Sequence, residues 1–196
     1  MKRKSKILIS LGLVLVAAAV LLEGYNIFMS LRGKMKSDNA LQKLREIPIN
    51  TQREKYPQYI LDPNMEMPVE EIDGLKIIGT LNIPSLELEL PVQNDWSLEK
   101  LQDTPCRYYG SAYLDNMVIC AHNYYYHFGK FRRLSTGDSI VFMDNLQNVF
   151  EYKVTEVLFL NPFSVNEVKK GNPGLTLFTC TPGGTQRITV RCEKCS

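Results

Sequence analysis

The sequence predicts a mostly β protein, a small barrel or sandwich with short helices, preceded by one N-terminal transmembrane helix. Three observations predict this. A basic start is followed by one long apolar run, and no second run of spanning length follows it. From Leu75 onward, short β-type runs alternate with turn residues. At 196 residues the chain has room for one compact domain and a smaller segment.

The first element is the apolar run Ile7–Leu22, which follows a basic segment over residues 1–6. Continued to Met29, the run supplies the roughly 20 residues that a helix needs to cross a bilayer core of about 30 Å. A cleaved signal peptide is the alternative, but its small-residue pattern, Ala17–Ala19, lies inside the apolar run. We therefore predict an uncleaved signal-anchor over residues 7–29.

Charges on the two sides of this helix predict its orientation. Lys2, Arg3, Lys4 and Lys6 precede the apolar run, whereas three basic residues follow it closely, so the signal is mixed and favours a cytoplasmic N-terminus. The predicted localisation is the cell membrane, crossed once, with residues 1–6 cytoplasmic and the C-terminal domain extracellular.

Residues 30–74 are predicted to form a polar tether. A short helix fits Asn39–Glu46, and Tyr56 and Tyr59 are suited to pin part of the tether to the domain surface. Proline spacing in the rest of the segment favours extended backbone over a packed core. These prolines are Pro48, Pro57, Pro63 and Pro68.

The remaining domain, residues 75–196, is predicted to contain seven strands separated by Gly, Pro, Asn and Asp. They are Lys76–Ile83, Leu86–Val92, Asn116–Cys120, Ser139–Phe142, Val149–Leu158, Leu175–Cys180 and Arg187–Cys192. One short helix is predicted at Ser97–Gln102.

Composition argues against several functions. The formal net charge is +2 and basic residues are interspersed with acidic ones, so nothing supports nucleic-acid binding. We predict no cofactor and no metal site. Cys192 and Cys195 form a C-x-x-C that reads either as half a zinc site or redox pair, or as two surface cysteines near the chain end. With five cysteines, at least one thiol stays free within the chain.

One set of residues has the pattern of a nucleophilic site. Cys180 ends an apolar strand and enters a Thr-Pro-Gly-Gly turn, His122 follows another strand, and Arg187 opens the strand after the turn. A thiolate nucleophile, an imidazolium proton donor and a guanidinium beside a developing oxyanion suit acyl transfer. From spacing alone, a buried core thiol, a surface or capping histidine and a solvated arginine are the commoner interpretations.

The same residues carry a resemblance to a known family. Leu175–Cys180 reads Leu-Thr-Leu-Phe-Thr-Cys and resembles the Thr-Leu-x-Thr-Cys signature of sortases. Further segments resemble that family in the same order over about Leu75 to Glu193. They are Ile78–Pro84, Leu90–Val92, Val118–His122, Phe131–Leu134, Thr136–Asp138 and Arg187–Arg191.

The resemblance implies an eight-stranded β-barrel with Cys180 as nucleophile, His122 as general acid/base and Arg187 as oxyanion stabiliser. Arg191 competes for the last role, because on an alternating strand it shares a face with Arg187. Thr179 and Ala121, which precede the nucleophile and the histidine, are predicted to contact substrate; the family commonly has Gly at the latter position.

The resemblance also implies a reaction and partners. A surface protein with a C-terminal Leu-Pro-x-Thr-Gly-like sorting motif is cleaved through a thioacyl enzyme and transferred to an amine of a cell-wall precursor or a pilin. The alternative is a catalytically inactive, membrane-tethered binding module of the same fold, and a third interpretation is a hydrolytic cysteine peptidase. A separate hypothesis is that Cys120, on the predicted face of His122, oxidises with Cys180 and inactivates the enzyme.

Overall fold

The computed structural model describes residues 2–48, 57–170 and 173–195. A long helix, α1 (Lys2–Glu46), precedes a β-domain that carries two single-turn helices, α2 (Gln58–Leu61) and α3 (Val165–Val168). The described strands are β1 (Glu70–Ile72), β2 (Leu75–Ile83), β3 (Leu88–Gln93), β4 (Cys106–Tyr109), β5 (Met117–Cys120), β6 (Ser139–Asp144), β7 (Val149–Leu160), β8 (Leu175–Cys180) and β9 (Arg187–Lys194).

Strands β2 to β9 form a closed eight-stranded barrel. Their hydrogen-bonded order is β2-β3-β4-β5-β8-β9-β7-β6, and β6 pairs back onto β2 to close the ring. The short strand β1 pairs with the start of β2, outside the ring. The β3–β4 and β5–β8 pairs are parallel and the others are antiparallel. The predicted eight-stranded barrel with few helices is therefore confirmed.

Side chains of alternating strand residues fill the barrel, since successive residues of a strand point to opposite faces. The largest fully buried side chains of this interior belong to Tyr152, Phe128, Phe131, Phe142 and Phe150. A second apolar layer lies on the outside of the β4–β5–β8 wall, and we call it the outer layer. Its buried members are Leu101, Cys106, Val118, Cys120, Val168 and Phe178.

Closure of the barrel depends on a glycine in β2. A Cβ at Gly79 would lie 2.2 Å from the backbone oxygen of Met143 and 2.8 Å from Cζ of Phe142, both in β6. Gly79→Ala is therefore expected to destabilise the domain by about 2–4 kcal/mol, because backbone must move where β2 meets β6. Thermal unfolding measures the loss.

The matched control is Gly137→Ala, at the turn before β6, where an added Cβ meets nothing within 4 Å but φ is 96°. The only cost expected there is backbone strain at positive φ. We therefore expect Gly137→Ala to lower the free energy of unfolding by about 1 kcal/mol. Equal losses in the two variants would contradict a steric role for Gly79.

Helix α1 is long and apolar enough to span a membrane. It does not end where the predicted span ends, because the predicted short helix Asn39–Glu46 is its continuous last part. From Gly33 onward one side of α1 is buried, including Ser37, Ala40 and Leu41. The first part of the segment predicted as a tether is thus helical and packed.

The rest of the predicted tether also makes contacts with the barrel. Tyr59 stacks on Tyr113 with ring centres 4.7 Å apart, and Met67 is 2% exposed. Tyr56 lies outside the described residues. The predicted helix at Ser97–Gln102 is a 3-10 turn over Lys100–Gln102.

Candidate active site

Cys180 is the last residue of β8 and leads into an exposed turn. Thr181 N donates to Gln186 O at 2.8 Å, and Gly184 N donates to Thr181 O at 2.8 Å. Gly183 and Gly184 have φ angles of 79° and 70°, a region that favours glycine. The thiol is thus held by a rigid strand, is half-buried, and has an open turn beside it.

The register of β5 and β8 places His122, two residues after the end of β5, level with Cys180 at the end of β8. These parallel strands pair Cys120 with Phe178, and Ala121 N donates to Phe178 O at 3.2 Å. His122 and Cys180 each lie two residues further along. They therefore end neighbouring strands at the same edge of the barrel and on the same face of its wall.

Arg187 lies directly across from Cys180 in the β8–β9 pair. Its Nη1 is 3.8 Å from the Cys180 Sγ, and its Nε donates to the backbone oxygen of Pro162 at 3.0 Å. Its Cζ lies 5.2 Å from the centre of the Phe178 ring. These three contacts aim a fixed positive charge at the thiol.

Arg191, the competing arginine, has other partners. It pairs with Thr176, four residues before Cys180. It donates to the Glu156 carboxylate at 3.2 Å and to the backbone oxygen of Glu167 at 3.0 Å. Register therefore brings Arg187 to the thiol and leaves Arg191 in an ion pair farther along β9.

Thr179 and Ala121 lie on the inner face of the wall, opposite the face of Cys180 and His122. Thr179 is 1% exposed, and its hydroxyl donates to the backbone oxygen of Ala121 at 2.8 Å. This buried bond ties the segment that carries His122 to the strand that carries Cys180. Substrate contact by these two residues stays a prediction. Because their side chains face the barrel interior, we expect their backbone atoms to make that contact.

The five cysteines are free thiols. Cys120 is buried on the same face as Cys180, one strand away and offset by two residues. Diagonal neighbours of this kind are typically about 7–8 Å apart, beyond the usual Cα separation of about 4.4–6.8 Å in disulfides. Cys120 and Cys180 are thus not joined by a disulfide in the structure, and their oxidation stays a hypothesis.

Cys192 and Cys195 do not form the surface pair offered as one interpretation. Cys192 is fully buried in the barrel interior, because it is an inward residue of β9, whereas Cys195 is partly exposed beyond the strand. The odd spacing sends the two side chains to opposite faces. Within the described ranges, no group of His, Cys, Asp and Glu is arranged to hold a metal ion.

His122 is packed against aromatic side chains of the loop that follows it. The ring centres of His122 and Tyr124 are 4.9 Å apart, and those of Tyr124 and His127 are 5.5 Å apart. We call these three side chains the ring row. Burial lowers the pKa of His122 below its ordinary value.

Sequence reasoning did not assign any role to His127 or Tyr124. His127 is fully buried, and neither of its ring nitrogens has a hydrogen-bond partner among the described residues. Burial first, and then the charge of His122, lower the pKa of His127 to about 4. The only sequence signal was a second histidine inside the aromatic run that follows His122.

Acidification is expected to weaken the fold through His127. Its pKa is about 4 in the folded chain and 6.5 when unperturbed, so the unfolded chain binds the proton first. The contribution of neutral His127 to the free energy of unfolding is therefore complete above pH 6.5. It is lost progressively as the pH falls towards 4. Melting temperatures of the full chain between pH 7.5 and pH 4 measure this. His127→Phe removes the titrating group and should flatten the dependence of melting temperature on pH. An unchanged dependence would contradict the assignment of the acid sensitivity to His127.

Comparison with known proteins identifies relatives of this arrangement. The family model described as "Sortase domain" matches residues 81–195. The sortase A of Streptococcus agalactiae is 29% identical over 139 residues, which cover 61% of this chain and 53% of that protein. The sortase A of Bacillus anthracis is 30% identical over 115 residues, covering 56% of this chain and 54% of that protein.

This chain therefore spans about half the length of the curated relatives it matches. A sortase D5 transpeptidase of Clostridium perfringens has a similar fold. Its TM-score is 0.59 at 18% identity, covering 83% of this chain and 98% of that chain.

Proposed function

The chain belongs to the sortase family, and from that premise we propose that it is a membrane-anchored cysteine transpeptidase. It cleaves a C-terminal Leu-Pro-x-Thr-Gly-like sorting motif through a thioacyl enzyme. It then transfers the cleaved surface protein to an amine of a cell-wall precursor or a pilin.

The observation that carries this proposal is the placement of three residues at the same end of three neighbouring strands, with a direct contact between Arg187 and Cys180. Cys180 lies between His122, at the same end of β5, and Arg187, whose Nη1 is 3.8 Å from the thiol sulfur. A binding module has no need for a guanidinium fixed at a thiol beside an imidazole. Acyl transfer needs all three groups.

The first half-reaction follows from these positions. The Cys180 thiol gives its proton to His122, and the resulting thiolate attacks the carbonyl carbon of the scissile Thr–Gly bond. The Arg187 guanidinium donates to the developing oxyanion. The C–N bond then breaks as the imidazolium of His122 gives its proton to the departing amine. The products are a thioester on Cys180 and a free amino-terminal Gly peptide.

The second half-reaction reverses these roles. An incoming primary amine attacks the thioester carbonyl, neutral His122 accepts its proton, and the Cys180 thiolate leaves as the new amide forms. Water in place of the amine gives hydrolysis as a side reaction. The low pKa of His122 suits the step in which it must accept a proton.

The outer layer supports a peptide substrate with apolar residues before the scissile bond. Phe178 of this layer is two residues before Cys180 on the same strand, and Leu160 and Tyr108 extend the layer at its margins. Most of the layer is buried, so its partly exposed members, Leu160 and Tyr108, are the ones that can contact apolar side chains of a sorting motif.

The proposed location of the β-domain depends on α1. The helix holds the domain at the membrane, and we infer that the domain faces the outside, where sorting-motif proteins and cell-wall amines are found.

The test uses the full chain in detergent micelles, incubated with a panel of Leu-Pro-x-Thr-Gly-like peptides, with and without triglycine. Intact-mass spectrometry should find an adduct equal to the peptide up to Thr, and fragmentation should locate it on Cys180. Triglycine should convert the adduct into a ligated peptide. An adduct that is resolved only by water would favour a hydrolytic peptidase, and no adduct with any peptide would favour a non-catalytic binding module.

A further inference from the structure

Helix α1 continues past its apolar part and packs on the domain through residues spaced three or four apart. This buried stripe consists of Gly33, Ser37, Ala40, Leu41 and the half-buried Leu44. Gly33 begins the stripe only a few residues after the predicted span. The apolar part of α1 thus continues without a break into a helical part that packs on the domain.

Gly33 lies against the loop that carries the histidines. A Cβ on Gly33 would be 2.5 Å from the backbone oxygen of Gln102 and 3.5 Å from Cε1 and Nε2 of His127. The added Cβ would clash with the Gln102 oxygen and would make an ordinary van der Waals contact with His127. No larger residue fits there unless the helix and the Lys100–Gln102 turn move apart, which shifts the helix relative to His127 as well.

Polar contacts fix the rotation of α1 at this point. Lys36 Nζ is 2.7 Å from the Asp103 carboxylate, whose side chain is only 17% exposed. Lys34 Nζ lies 5.4 Å from the ring centre of Tyr126, in the same loop as His127. Both contacts are made by residues one and three positions after Gly33, and they hold this part of the helix over the loop.

The ring row continues this contact to the catalytic histidine. His127 lies next to Gly33, within van der Waals reach of a Cβ placed there, and Tyr124 packs between His127 and His122 with ring centres 5.5 Å and 4.9 Å away. The loop is closed by backbone bonds from His127 N to Tyr124 O at 2.9 Å and from Phe128 N to His122 O at 3.3 Å. A displacement at Gly33 is therefore transmitted to His122 through packed rings.

His127 is also an unusual residue for such a place. It is fully buried without a hydrogen-bond partner among the described residues, so its nitrogens contribute little there and its flat ring is what packs. Asp103, which follows Gln102, is the charged group that faces it from the neighbouring turn, and Lys36 neutralises that carboxylate.

We propose that His127 is a positioning residue for His122, held by Gly33 of the membrane helix, so that α1 forms part of the active-site framework. This rests on the proposed function only in assigning catalysis to His122. The membrane helix then does more than anchor the enzyme, because its packing sets the position of the general acid/base relative to Cys180.

The first test is Gly33→Ala in the full chain in detergent micelles, with Gly24→Ala as the matched control. Gly24 lies in the same helix and an added Cβ there meets nothing within 4 Å. We expect Gly33→Ala to lower kcat about tenfold with little change in KM, because a displaced His122 transfers its proton poorly. Gly24→Ala should match the parent chain in both constants.

Histidine NMR gives a readout that does not depend on turnover. The chain has two histidines, so ring-labelled protein gives two signals that a single substitution assigns. In Gly33→Ala the titration midpoint of His122 should rise towards 6.5, because a displaced loop exposes the ring. An unchanged midpoint and an unchanged kcat in Gly33→Ala would overturn the proposal.

A second pair of variants covers the case in which Gly33→Ala fails to fold. His127→Phe keeps a flat ring and should keep at least half of the parent kcat, whereas His127→Ala empties the position and should lose about tenfold. Equal rates in the two variants would overturn a positioning role for the ring. If no peptide is turned over by any variant, the proposed function fails, while the His122 midpoint still decides whether α1 positions that histidine.

Discussion

Replacing Cys180 with alanine is expected to abolish both the thioester adduct and the ligated product, lowering kcat/KM at least about 10⁴-fold. The proposed reaction passes through a covalent bond to this sulfur, and alanine offers no atom that can form it. Cys180 is the half-buried thiol at the end of β8 with Arg187 at 3.8 Å. Intact-mass spectrometry and peptide-ligation rates of the full chain measure the loss.

The matched control is Cys120→Ala, because Cys120 lies on the same outer face one strand away. Burial raises the pKa of Cys120 to about 12, so it stays a protonated thiol and cannot replace the nucleophile. This variant should still form the adduct. An adduct that persists in Cys180→Ala, or that disappears to the same extent in Cys120→Ala, would contradict the assignment of the nucleophile.

Much of the fold could be predicted because most strands are short apolar runs between turn residues. β8 is observed with its predicted bounds, Leu175–Cys180, and β2 and β5 differ from prediction by one residue at their starts. In each case the run is buried and its ends are marked by proline, glycine or polar residues. Local pattern and tertiary burial agree in these segments.

Two strands could not be predicted because their pairing is not visible in local sequence. β4, Cys106–Tyr109, contains an arginine and two tyrosines and is joined to β3 by a single pair of residues. β1, Glu70–Ile72, is a three-residue acidic edge strand. Both are strands because neighbouring segments of the barrel present free backbone groups to them.

The continuation of α1 was missed for a related reason. The change from apolar to polar residues after Met29 marks a predicted membrane boundary, but a helix crosses such a boundary when one side remains buried. Gly33, Ser37 and Ala40 are small residues that let the helix lie close to the domain. Nothing in their local pattern identifies the surface that they contact.

The roles of the site residues stay predictions, and the sequence did not decide which arginine lies at Cys180. Arg187 and Arg191 share a face of β9, and local sequence treats them alike. Which one reaches Cys180 depends on the pairing of β9 with β8, a long-range feature. The ring row was missed because Tyr124 and His127 gain their position from α1, about 90 residues earlier in the chain.

Replacing Arg187 with alanine is expected to lower kcat by about 10²–10³-fold, with a smaller change in KM. The guanidinium lies 3.8 Å from the thiol sulfur, and its loss removes the proposed donor to the oxyanion. Arg187→Lys should recover only part of the rate. Lysine keeps the charge but cannot reproduce the planar guanidinium, which bonds Pro162 through Nε while Nη1 faces the sulfur.

Arg191→Ala separates this role from the loss of any arginine on the same strand. Arg191 has the same type of side chain on the same face of β9 but bonds Glu156, so its removal should leave kcat within about threefold of the parent chain. Melting temperatures of both variants check that the barrel is folded. Equal losses of kcat in Arg187→Ala and Arg191→Ala would mean that the charge of the strand matters and not the contact with Cys180. A loss confined to Arg187→Ala places the oxyanion donor at the β8–β9 pair, where sequence alone left two arginines in competition.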